Sequence, residues 1–186
     1  MISIICPTID GREHHYSRCH DAYLRTTPDV EWIEVRNQAT CGIAWNIGIA
    51  RAHGDVLHLT ADDLEPQPGW YEAAQEKVEA GFLPAPLILR EDGSIDSCGW
   101  DRRLRMDGEI TEYTRIPFAP REWFDLIGPM LETHYANDHY FSVRAREIGL
   151  ETVIARRYLF THYWAKEGRL DHRMAPDHAT FEQAIS

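Results

Sequence analysis

Gly54-Asp55-Val56-Leu57-His58-Leu59-Thr60-Ala61-Asp62-Asp63, residues 54–63, is the stretch from which the fold follows. Val56, Leu57 and Leu59 mark a buried strand over 55–60, and the run breaks directly into two adjacent carboxylates. Just upstream, Ile43, Ile47 and Ala50 recur at helical spacing over 41–52, with Gly54 as the stop. Residues 30–35 alternate apolar with polar side chains and read as a strand, and residues 13–26 read as a helix ending before Pro28. Residues 2–6 form a short apolar run closed by Pro7, a further buried strand. Strand, helix, strand, helix, strand implies parallel pairing through crossovers, hence an α/β fold with a mainly parallel sheet flanked by helices.

Downstream, residues 61–69 are a loop dense in carboxylates and prolines, and a helix over about 69–80 is closed by Gly81. Segments 82–89 and 95–98 flank Glu91-Asp92-Gly93-Ser94 as a hairpin. Residues 101–119 carry no decisive pattern. Pro120 opens a short helix that Gly128 closes, and a helix over 136–147 buries the face of Phe141, Ala145 and Ile148. Short strands are expected at 152–155 and 158–161. The reading is one domain over 1–165, followed by a polar, mobile tail over 166–186.

The chain has 186 residues, enough for one compact domain with a core. Its net charge of -11 argues against binding to long nucleic-acid tracts or anionic membranes, which are themselves negative. No segment approaches the roughly 20 apolar residues of a transmembrane helix, and the N-terminus lacks a basic leader. Cys6, Cys19, Cys41 and Cys98 form no close CxxC pair, so reduced cysteines in a cytoplasmic protein are expected.

In open α/β sheets ligands bind outside the C-terminal ends of the strands. Three loops qualify: Pro7-Thr8-Ile9-Asp10, Arg36-Asn37-Gln38 and Ala61-Asp62-Asp63. The adjacent carboxylates of the third suit Mg²⁺ or Mn²⁺, hard cations that share oxygen ligands between one or two carboxylates and substrate phosphates. On the residues alone, the pair serves equally as a turn cap.

The wider string bears on that choice. Ser3-Ile4-Ile5-Cys6-Pro7-Thr8, Asn46-Ile47-Gly48-Ile49-Ala50-Arg51-Ala52-His53-Gly54-Asp55, Thr60-Ala61-Asp62-Asp63, Pro68-Gly69-Trp70, Asp92-Gly93-Ser94-Ile95, Ile127-Gly128-Pro129-Met130 and Asn137-Asp138-His139 stand in order. Over residues 2–163 the chain resembles the family 2 glycosyltransferases. That resemblance implies a GT-A-like, Rossmann-like single domain. It also implies an inverting transfer from a nucleotide-diphosphate sugar, UDP-sugar first, to a glycan or other hydroxyl-bearing acceptor, with Mn²⁺ or Mg²⁺ as cofactor. By the same resemblance Thr8, Asp10, Asn37 and Asp62 hold the nucleotide. Asp63 and His162 hold the metal, and Asp138 is the general base. Trp100 and Asn137 touch the acceptor or sugar. Two departures from the family pattern are Thr60, where relatives carry a further Asp, and Arg36-Asn37, where they often have a base-binding Asp.

Two other classes stay open. A metal-dependent hydrolase would draw on ten histidines, notably the pairs His134/His139 and His172/His178, although no HExxH is present. In a non-catalytic nucleotide-sugar or glycan-binding module, Asp138 would only cap its helix.

Overall fold

The computed structural model describes residues 1–99, 101–163 and 174–186. The first half runs β1 (Ile2–Thr8), α1 (Glu13–Thr26), β2 (Val30–Arg36), α2 (Cys41–Arg51) and β3 (Val56–Leu59). It continues with β4 (Leu64–Pro66), α3 (Trp70–Glu79), β5 (Leu83–Arg90), β6 (Ile95–Cys98), β7 (Ile110–Thr111) and β8 (Phe118–Pro120). The last elements are α4 (Arg121–Ile127), α5 (Asn137–Glu147), β9 (Thr152–His162) and α6 (Met174–Ile185).

The strands form two sheets, ordered β2-β1-β3-β8 and β4-β9-β5-β6, with β7 paired to β9. The three longest ladders, β1 with β2, β1 with β3 and β5 with β9, are parallel. Short antiparallel strands finish the edges. β1 is central, and its near-continuous apolar run has a physical cause: a strand covered on both faces has no polar side to show. Its side chains alternate between two cores. Ile5 joins Trp45, Leu57, Leu59, Phe124 and Phe141 beneath α2, α4 and α5. Ile2 and Ile4 join Tyr23, Trp70, Phe118, Tyr158 and Phe160 beneath α1 and α3.

Three expectations are revised. The strands expected at 152–155 and 158–161 are one strand, β9, with a bulge where its register against β5 shifts beside Pro86 and Leu87. Arg156 and Arg157 are exposed there, which breaks the apolar run in the sequence without breaking the strand. Residues 101–119 hold β7 and the start of β8, strands too short to show a period. The stretch read as a mobile polar tail contains α6, anchored by two buried side chains, Phe181 and Asp177. The Asp177 carboxylate reaches α5's entry loop, accepting from the backbone N–H groups of His134 (2.8 Å) and Tyr135 (3.0 Å).

Candidate active site

Asp62 and Asp63 lie where the chain leaves one sheet for the other, between β3 and β4. Thr60, just before them, is fully buried, and its hydroxyl pairs with that of Tyr23 at 2.6 Å. That inward turn accounts for a threonine here: a carboxylate in this place would be buried among apolar rings. The C-terminal end of β1 lies alongside, and Thr8 Oγ1 donates to Asp62 Oδ2 at 2.6 Å.

The next loop is tied to the same edge. Asn37 takes a left-handed backbone (φ 57°), and its N–H donates to Thr8 O at 2.9 Å. Its side chain pairs with Asp10 at both ends, Nδ2 donating to Asp10 Oδ2 (2.9 Å) and Oδ1 accepting from the Asp10 N–H (3.0 Å). Asn tolerates that backbone better than most residues, which favours it at this turn. Thr8, Asp10, Asn37 and Asp62 therefore share one edge, with Asp10 and Asn37 open to solvent.

β9 brings His162 to the aspartates from about a hundred residues away in sequence. His162 lies opposite Leu64 of β4, and the Tyr163 N–H donates to Asp63 O at 2.9 Å. Its Nε2 is 3.6 Å from Asp63 Oδ2, and its Nδ1 is 2.9 Å from Asp96 Oδ2. Arg90 supports Asp96 from the other side (3.3 Å). Burial disfavours the charged imidazole, but hydrogen bonds to Asp63 and Asp96 outweigh it and raise His162 to about 9. Burial likewise works against the Asp63 anion, yet His162 and Arg12 bring it down to about 2. Asp62 goes the other way: burial lifts it to about 6 despite Arg12 and Thr8.

Sequence reasoning missed Arg12 and Asp96. Arg12 stands at the N-cap position of α1 without capping it by its side chain. Instead one guanidinium nitrogen, Nη2, lies 2.6 Å from Asp62 Oδ1 and 2.7 Å from Asp63 Oδ2. No local pattern announces such a contact, because fifty residues separate the partners. Asp96 was within reach, following Asp92-Gly93-Ser94-Ile95 at the end of the hairpin.

Asp138 sits in the first turn of α5, after Ala136 in a left-handed conformation (φ 63°). Its Oδ1 accepts from the His139 N–H at 3.0 Å, and Arg115 Nε is 3.8 Å from Oδ2. The N-cap position itself belongs to Ala136. Asn137 is 3% exposed and its amide is committed within the chain, donating to Thr133 O (3.0 Å) and accepting from the Asp138 N–H (2.8 Å). It fastens the turn that presents Asp138. Trp100 lies outside the described residues. Trp70 is fully buried, its indole N–H shared between Thr26 and Thr27 (3.1 and 3.2 Å), a packing residue.

α2 links the two carboxylate groups. Thr40 caps it by accepting from the Ile43 N–H, and the Gly42 N–H donates to Thr133 O in the loop before Asp138. A side chain at Gly42 would place its Cβ 1.9 Å from Leu131 O, so only glycine allows this approach. The thiol of Cys41, at the start of α2, is pushed up first by burial and then by the charges of Asp138, Asp62 and Asp63.

Asp63 Oδ2 and His162 Nε2 fit a divalent cation, since two ligands about 2.1 Å from one ion stand roughly 3 to 4 Å apart. Among the described residues no three His, Cys, Asp or Glu side chains form a complete metal cage. A cation here would take its remaining ligands from phosphate oxygens and water. The histidines invoked for a hydrolase are disposed otherwise. His139 is buried, stacked on Tyr113 at 4.2 Å with His178 at 5.8 Å, and His172 lies outside the described residues.

No family model and no curated protein matches the chain. Among solved structures, it is similar to GalNAc-T7 crystallised with UDP, GalNAc and Mn²⁺, at 14% identity and a TM-score of 0.75 over 98% of the chain. It is also similar to TarS of S. aureus, at 10% identity and a TM-score of 0.71 over 99% of the chain. The chain spans 47% and 38% of the length of those two proteins. The fold is that of GT-A-type glycosyltransferases.

Proposed function

We propose that this chain is a nucleotide-sugar-dependent glycosyltransferase domain that takes a UDP-sugar with Mn²⁺ or Mg²⁺ and passes the sugar, with inversion, to an acceptor hydroxyl. The observation that carries this reading is the convergence of Thr8, Asp62, Asp63 and His162 at the junction of the two sheets in a GT-A fold. The GalNAc-T7 structure, with UDP and Mn²⁺ bound, supports the choice of donor and cation.

Asp63 and His162 would hold the cation, which when bound stabilises the charge that gathers on a leaving diphosphate. Asp63 is suited to that role because it stays ionised across the neutral range. His162 must release a proton before its Nε2 can ligate, and the cation's charge favours that release. Thr8 orients Asp62. Asp10 and Asn37 hold each other in an open loop where a nucleobase can reach them. Asn37 can both donate and accept, so it suits a base edge that presents both.

Asp138 would take the acceptor's proton. It stands in the first turn of α5, with Arg115 Nε 3.8 Å from its Oδ2. A carboxylate held in place by the N–H of His139 is oriented before the acceptor arrives.

A thermal-shift panel of UDP, GDP and dTDP, each with and without Mn²⁺, tests the donor assignment. A ligand at about 100 times its Kd stabilises by about 2.7 kcal/mol, an easily read shift. UDP with Mn²⁺ should give the largest shift. A shift produced by Zn²⁺ alone, with none from any nucleotide, would favour a metal-dependent hydrolase.

A further inference from the structure

We propose that Arg12 is a built-in counter-cation that excludes the divalent metal from Asp62 and Asp63 until the donor diphosphate draws it away. This inference rests on the donor-site reading above. A single nitrogen of Arg12 bridges the two carboxylates, at 2.6 Å from Asp62 Oδ1 and 2.7 Å from Asp63 Oδ2. The oxygen it holds on Asp63 is the one that faces His162 Nε2 at 3.6 Å. Guanidinium and metal therefore compete for the same Asp63 oxygen, and both cannot occupy it at contact distance.

The geometry makes the bridge strong enough to exclude a cation and loose enough to yield. The Arg12 side chain is largely shielded (14% exposed), so its charge is poorly screened by water. Arg12 belongs to the loop between β1 and α1, which is not held inside either sheet. Its natural alternative partner is a phosphate, for which the guanidinium fork is well matched. When a diphosphate enters beside Thr8, Arg12 can exchange its carboxylates for phosphate oxygens, and Asp63 becomes available to the metal.

The consequence is coupling. Mn²⁺ alone should bind weakly, and a nucleoside diphosphate should strengthen it. Linkage requires that Mn²⁺ strengthen the nucleotide by the same factor. Arg12→Gln removes the internal cation while keeping a polar, uncharged side chain.

Mn²⁺ titrations without nucleotide, by calorimetry or by the paramagnetic resonance of free Mn²⁺, decide the matter. Arg12→Gln should bind Mn²⁺ at least about tenfold more tightly than the unmodified chain, and Arg12→Ala should show the same gain. Arg12→Lys retains the charge and should keep most of the exclusion. With UDP present, the factor by which UDP strengthens Mn²⁺ should shrink in Arg12→Gln by the amount that Mn²⁺ alone has gained. Circular dichroism verifies the fold of each variant. Mn²⁺ affinities within twofold of the unmodified chain in both neutral variants would overturn the proposal, as would an unchanged coupling factor. If UDP binds none of these proteins, the donor reading falls, and the Mn²⁺ titration alone still judges Arg12.

Discussion

Asp138 and His58 show how burial sets what a single residue can do. Asp138→Asn keeps the shape of the side chain and can still accept from the His139 N–H. It loses only the capacity to take a full proton. General-base assistance is worth typically about 10²–10⁴-fold, so kcat for transfer to an acceptor should fall by that order, with UDP affinity unchanged. Transfer within a few-fold of the unmodified chain would make Asp138 a structural residue. His58 lies at the opposite extreme, wholly buried and bonded to Tyr23 (2.9 Å) and Tyr158 (3.2 Å). Burial depresses it to about 3. The unfolded chain therefore binds a proton that the folded chain refuses, and stability is complete above pH about 6.5 and declines as pH falls toward 3. Urea unfolding should show a slope of roughly 1.4 kcal/mol per pH unit below 6.5 from this group, on top of the carboxylates. His58→Gln, whatever its own stability, should lack that part of the slope.

The helices and strands near the site differ in how plainly the sequence announces them. β1, β2, β3 and the two helices between them follow from apolar runs or apolar periodicity, each with a clear stop. The hairpin of β5 and β6 follows from its Asp92-Gly93-Ser94 turn. β7 and β8 span two and three residues, and their existence depends on partners distant in sequence, which no local pattern encodes. The same holds at the site. Asp62, Asp63 and Thr8 stand at predictable strand ends, whereas Arg12 becomes visible only when the sheets are assembled. α6 is the sharpest case, since the charged residues of 166–173 make the whole tail read as polar and hide a helix held by Phe181 and Asp177. Asp177→Ala would deprive the His134 and Tyr135 N–H groups of their acceptor. Each such loss costs about 1–3 kcal/mol, so a fall in melting temperature of several degrees is expected, by calorimetry. UDP binding at the opposite end of the site should persist in this variant.

Across the whole molecule, two sheets meet at one edge, and the chain crosses between them through Asp62 and Asp63. The first sheet contributes the loops after β1 and β2, and the second returns His162 on β9. The chain spans less than half the length of either of the two solved structures it is similar to. The claim on which the account depends is that donor nucleotide and divalent cation meet at Asp63. Calorimetric titration of UDP, with and without Mn²⁺, into the unmodified chain and Asp63→Ala tests it most directly. Mn²⁺ should strengthen UDP binding to the unmodified chain by at least about tenfold, and that enhancement should vanish in Asp63→Ala while the fold is retained. Equal enhancement in both proteins would place the cation elsewhere and contradict the account.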